Sequence, residues 1–121
     1  MDNIGKPHKR LAVWNKAIDL TLDVYKESER FPKAEIYGLT SQMRRSAISI
    51  ASNIAEGAGR QTKKEFINYL HMAQGSLSEL DTHMLIARKL DYIPEENYEA
   101  LVKKVETISK MITGLIKSLK R

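Results

Sequence analysis

The stretch LTSQMRRSAISIASNIAEGAGR, Leu39 to Arg60, decides the fold. Small or apolar side chains surround most of its helical circumference. Arg44 and Arg45 stand near its start, and Gly57 and Gly59 at its end. Met43, Ala47, Ile50 and Ile54 recur at spacings of 4, 3 and 4, which is one row on a helix. Ile48, Ala51 and Ala55 lie to one side of that row, and Ser46, Ser49, Ser52 and Asn53 add small polar groups. Such a helix can be approached closely from more than one side. It predicts a bundle that also packs against copies of itself, through a closed and symmetric interface that includes Ser49, Ser52 and Asn53. The competing reading is an ordinary core helix that tolerates small residues.

Working outward, the pattern predicts four helices and no strand. Upstream, Val13, Ala17, Leu20 and Val24 form one row, and Trp14, Ile18, Thr21 and Tyr25 a second beside it, over about Leu11 to Glu29. Phe31-Pro32 stops that helix, because a residue before proline disfavours the helical region. The next helix spans about Tyr37 to Ala58, and Gly57 and Gly59 are expected to end it in the left-handed conformation. Thr62 with Glu65 matches a capping box opening the third. There, Phe66, Leu70, Ala73, Leu77, Leu80, Met84 and Ala87 alternate spacings of 4 and 3. Asp91 and Pro94 end it, and Pro94 suits the first turn of the fourth. Tyr98, Leu101, Val105, Ile108, Ile112, Leu115 and Leu119 give that last helix its apolar row. A repeat averaging about 3.5 residues implies near-parallel helix packing. Short connections then predict an all-α, antiparallel, up-down-up-down four-helix bundle, in one domain over residues 1–121 with a basic arm at 1–10.

The third helix carries a second message. Opposite its core row lie Asn68, Met72, Gly75, Glu79, Thr82 and Ile86. Glycine in a helix interior costs about 1 kcal/mol relative to alanine. On the face turned away from the core, it suggests approach by something outside the bundle. Met72, Gly75 and Ile86 therefore join the expected oligomer interface.

The charge is segregated along a chain of net charge +5. Lys6, Lys9, Arg10 and Lys16 face only Asp2 in the first sixteen residues. Lys103, Lys104, Lys110, Lys117, Lys120 and Arg121 face only Glu106 after residue 100. Between residues 65 and 99 carboxylates outnumber Arg88 and Lys89. Segregated basic surface attracts polyanions, of which nucleic acid is the commonest in a cell. The plain alternative is a solubilising charge pattern. The best local polyanion site is the corner Arg60, Lys63 and Lys64, followed by Arg44 and Arg45. The arm with Lys6, Lys9 and Arg10 is expected at the end opposite that corner, together with Arg44 and Arg45.

No residue pattern names a reaction, so an enzyme is not expected. No cysteine is present, and His8, His71 and His83 show no metal-binding spacing, so neither metal nor cofactor is expected. His71 and His83 read as surface or interface residues. Glu56 opposes the dipole of its helix end, and the plainest reading pairs it with Arg60. The N-terminus lacks an apolar signal core and no run suits a membrane span, so a cytoplasmic protein is expected.

Leu39 to Arg45, Ser49-Ile50, Asn53 to Gly57 and Gly59-Arg60 resemble the signature of the 23S rRNA intervening-sequence proteins, also called S23-type ribosomal proteins. Leu11, Val13-Trp14 and Ala17 extend the likeness, as do Lys64-Glu65-Phe66, Ala73, Gly75-Ser76-Leu77 and Glu79-Leu80. It covers about Leu11 to Ile93, and the last helix matches only in pattern. Ala58 stands where the family often has an aromatic residue or serine. The resemblance implies assembly into a ring, with pentamers the expected form. The family takes its name from genes inside intervening sequences of bacterial 23S rRNA genes. A similar fold serves as the accessory variability protein of diversity-generating retroelements, a basic pentameric barrel that partners a reverse transcriptase and nucleic acid. Together these readings predict a non-enzymatic homo-oligomer that binds RNA. The alternative is a scaffold docking an acidic partner such as a nucleic-acid enzyme.

Overall fold

The computed structural model describes residues 7–121; Lys6 and the rest of the expected arm before Pro7 lie outside the described residues. A 3-10 turn at Pro7–Arg10 precedes helix α1 (Ala12–Ser28). A second 3-10 turn, Lys33–Glu35, leads to α2 (Leu39–Ala58), then α3 (Lys63–Lys89) and α4 (Glu95–Leu119). No strand occurs among the described residues. Each helix packs on the next and α4 closes on α1, while the backbones of helices across the diagonal stay further apart. The architecture is that of a four-helix bundle around one core.

The periodic rows become that core. Val13, Ala17, Leu20 and Val24 of α1 are buried, as are Met43, Ala47, Ile50 and Ile54 of α2. In α3 the row from Leu70 to Ala87 is buried throughout, with Phe66 half-buried at its start. In α4 the row drifts. Leu101, Val105, Ile108 and Ile112 are buried as expected, but Ile116 then replaces Leu115, and Leu119 is half-buried. A straight helix has 3.6 residues per turn, so a 3.5-residue pattern rotates off the core over several turns.

Element boundaries follow local chemistry. Thr62 Oγ1 accepts from the Glu65 amide at 3.1 Å. The second half of the expected box differs, because the Glu65 carboxylate accepts from the Thr62 hydroxyl at 3.0 Å. Asp91 turns the chain after α3 with φ 65°, the left-handed region. The expectation for Gly57 and Gly59 is corrected. No glycine among the described residues has a positive φ, and Gly59 caps α2 at φ −86°. Gly57 instead serves close packing. A Cβ there would lie 2.7 Å from Tyr69 Cβ and 3.0 Å from Phe66 Cδ1. Only a hydrogen atom lets the end of α2 sit against the start of α3.

Further contacts join successive helices. Arg44 Nε donates to Ser28 Oγ at 2.8 Å, and Thr21 donates to the Ala47 carbonyl at 3.3 Å. Gln74 donates to Thr113 at 3.2 Å, and Arg88 pairs with Glu95 at 3.3 Å. Between α4 and α1, Lys104 pairs with Asp23, and Asn97 donates to the buried Glu27 carboxylate at 2.9 Å.

Candidate nucleic-acid interface

The corner forms because α2 ends at Ala58 and α3 begins at Lys63, a reversal of four residues. Lys63 and Lys64 occupy the first turn of α3 and are exposed, with no side-chain partner among the described residues. Arg60 is different. Its guanidinium pairs with Glu56 at 2.7 Å, donates to the Tyr69 hydroxyl at 2.7 Å, and lies 4.9 Å from the centre of the Tyr69 ring. The plain reading of Glu56 as the partner of Arg60 therefore agrees with the structure. Tyr69 is the residue sequence reasoning missed. Its only signal was an aromatic side chain one turn beyond the Lys63-Lys64 pair, with a polar tip suited to a nearby cation.

Arg44 and Arg45 separate in role. Arg44 lies over the Tyr25 ring at 4.5 Å and holds Ser28 Oγ, so it joins α2 to the end of α1. Arg45 is exposed and has no side-chain partner among the described residues. Thirteen residues of helix run from Arg45 to the end of α2 at Ala58, just before Arg60, about 20 Å at 1.5 Å per residue.

The expected place of the arm is corrected. The Pro7–Arg10 turn packs on α2. His8 lines a groove of about 280 Å³ with Trp14, Ile18, Ile48, Ser52 and Ala55. Ser52 and Ala55 belong to the half of α2 that leads into the corner. Lys9 and Arg10 therefore stand at the corner's end of the molecule, and Arg44 and Arg45 at the other.

The expected interface residues lie outward to different degrees. Met72 and Ile86 are exposed, and a Cβ built on Gly75 meets nothing within 4 Å. Ser52 is exposed, and Ser49 and Asn53 are half-buried. The Asn53 amide donates to the Ser49 carbonyl at 2.9 Å. Ser46 is fully buried, and His83, expected at the surface or an interface, is half-buried beside it with Nδ1 3.3 Å from Ser46 Oγ. His71 is exposed and contacts Gln74 at 3.0 Å. No group of three potential metal ligands occurs among the described residues. No helix among them is long and apolar enough to cross a membrane.

Four packed helices with charge and small residues on their outer faces define an all-α bundle protein. Residues 9–114 match the family described as 23S rRNA-intervening sequence protein, and the chain belongs to that family. A crystal structure at 1.70 Å of a protein of unknown function from the S23 ribosomal protein family of Bacteroides thetaiotaomicron has the same fold. It is 24% identical with a TM-score of 0.81, and the match covers 88% of this chain and 99% of the other. No curated protein matches this chain.

Proposed function

We propose that this protein is a non-enzymatic homo-oligomer that binds RNA through its basic surface. The observation that carries the reading is the Lys63-Lys64 pair, exposed and uncommitted on the first turn of α3 beside Arg60. The exposed amides and positive dipole end of a 27-residue helix reinforce that charge. Family membership points the same way, through a name that refers to ribosomal RNA genes. Binding of this kind is directed at the phosphate backbone and depends strongly on salt. Replacing both lysines in K63Q/K64Q is expected to weaken RNA binding and to flatten the plot of log affinity against log salt. An unchanged slope in an anisotropy titration would remove this site.

The bundle runs up-down-up-down in this reading. Arg44 near the start of α2 reaches the end of α1, Gly57 meets the first turns of α3, and Arg88 meets the start of α4. Copies then assemble into a ring, with five subunits the expected number. The open outer stripe of Met72, Gly75 and Ile86 and the small residues Ser49, Ser52 and Asn53 supply the contacts. Sedimentation near five times 13.8 kDa is the expected result, and a particle of 13.8 kDa at micromolar concentration would defeat the ring.

One observation favours a second reading for Arg44 and Arg45. They line a groove with the apolar Ile36 and Ile48, a mixture suited to an acidic protein partner rather than to bare phosphate. Pull-down with and without RNase separates the two, since a protein contact survives the digestion.

A further inference from the structure

We infer that the RNA surface is one whole end of the bundle, built from three segments remote in sequence, and that Arg44 and Arg45 take no part in it. The inference rests on the RNA reading and on the alternating course of the helices. The segments are residues 7–10, the corner at residues 60–64, and the end of α4 at residues 117–121. They carry Lys9, Arg10, Arg60, Lys63 and Lys64, joined by Lys117, Lys120 and Arg121, and their side chains include no carboxylate.

Contacts bring them to one end. The Pro7–Arg10 turn packs on α2, and His8 shares a groove with Ala55, just before the corner. Arg88 meets Glu95 and Gln74 meets Thr113, so α4 returns along α3. From Thr113 six further residues reach Leu119, about 9 Å along the axis. An equal distance back from Gln74 on α3 reaches Asn68, one turn from Lys64. Lys117, Lys120, Arg121, Lys63 and Lys64 are all exposed. From Lys9 and Arg10 only their charge is needed.

Two features select a phosphodiester backbone over a membrane surface. Eight cations at this end outnumber the nearby carboxylates Glu56, paired with Arg60, and Glu65, so the field stays positive. None of the exposed large apolar side chains falls in the three segments; Tyr25, Ile36, Tyr37, Ile86 and Leu90 flank the opposite loops instead. A membrane-binding face pairs its cations with apolar side chains that enter the lipid. A groove-spanning contact with folded RNA needs cations alone.

The test is anisotropy titration of the full chain with a fluorescein-labelled RNA hairpin across a salt series, comparing wild type with K117Q/K120Q, K63Q/K64Q and R45Q. Circular dichroism melts confirm that each surface variant folds. Loss of two phosphate contacts lowers the salt slope by about 1.5. K117Q/K120Q and K63Q/K64Q are each expected to show that loss, and R45Q to bind within a factor of about two of wild type, well under the tenfold that 1.4 kcal/mol represents. Normal binding by K117Q/K120Q beside weakened K63Q/K64Q overturns the three-segment surface and leaves the RNA reading standing. An equal loss in R45Q overturns it too, because the charge then acts without regard to place. No binding by wild type removes the RNA reading and this inference together. Tighter binding to phosphatidylserine vesicles than to the hairpin assigns the surface to lipid and overturns the inference.

Discussion

A hydrogen atom on Gly57 sets the distance between α2 and α3 at the corner. The backbone there is helical, so alanine would bring no strain of its own and a helix preference of up to about 1 kcal/mol. The methyl group would nevertheless overlap Tyr69 Cβ at 2.7 Å, an atom fixed to its helix. Overpacking should win, and Gly57→Ala is expected to cost about 1–3 kcal/mol in urea unfolding. Tyr92 presents the other decisive single contact. Its hydroxyl donates to Glu35 Oε2 at 2.9 Å, while Glu35 Oε1 accepts from the Leu39 amide at 3.2 Å. The hydrogen bond to Glu35, then burial, then the carboxylate's charge hold the phenol above its ordinary pKa. A raised folded pKa means the stabilisation is complete below the unfolded value of about 10 and is lost as pH rises through the folded value. Wild type is expected to melt above Tyr92→Phe at pH 8, with the two melting curves converging at strongly alkaline pH. A constant gap across that range would show that the hydrogen bond does not drive the difference.

Among whole elements, α3 and α4 each carry one glycine in the helix interior with open space around it, Gly75 and Gly114. Neither has a positive φ. Alanine at either position is therefore expected to stabilise its helix by about 1 kcal/mol. They should differ in assembly. Gly75 lies between Met72 and Ile86 on the proposed contact stripe, whereas the outer face of α4 around Gly114 carries Lys103, Lys110 and Lys117. Gly75→Ala should raise the thermal midpoint of dilute protein yet shift sedimentation toward smaller species, and Gly114→Ala should raise the midpoint alone. Identical sedimentation of the two variants would take the stripe out of the interface. The same elements show why rows were legible. Row membership depends on 3.6 residues per turn, a local property; it failed at Leu115, which Ile116 replaces as small angular drift accumulates, and at Tyr25, which ends the second α1 row exposed.

Across the whole molecule, charge is ordered by folding rather than by sequence distance. Lys9, Lys63 and Lys120 lie far apart along the chain yet fall at one end on the proposed alternating course of the helices. The opposite end mixes Arg30, Lys33 and Arg88 with Glu27, Glu35, Asp91 and Glu95, several of them paired. Such polarity orients a polyanion on approach, and the effect falls off over about 10 Å at 0.1 M salt. Arg60 shows the same dependence on tertiary context. Its charge and its Glu56 partner four residues back were legible, but its contact with Tyr69 needed the α2–α3 reversal.

The sequence by itself determined the four helices, the face each one buries, the Thr62 cap and the family, because periodicity and capping act within a few turns of chain. Only the tertiary structure decided that Gly57 is a packing glycine, that His83 backs onto Ser46, and that the Pro7–Arg10 turn shares an end with Lys63 and Lys64. Those facts depend on which helix surfaces meet, and contacts between distant segments leave no periodic trace in the residues that make them.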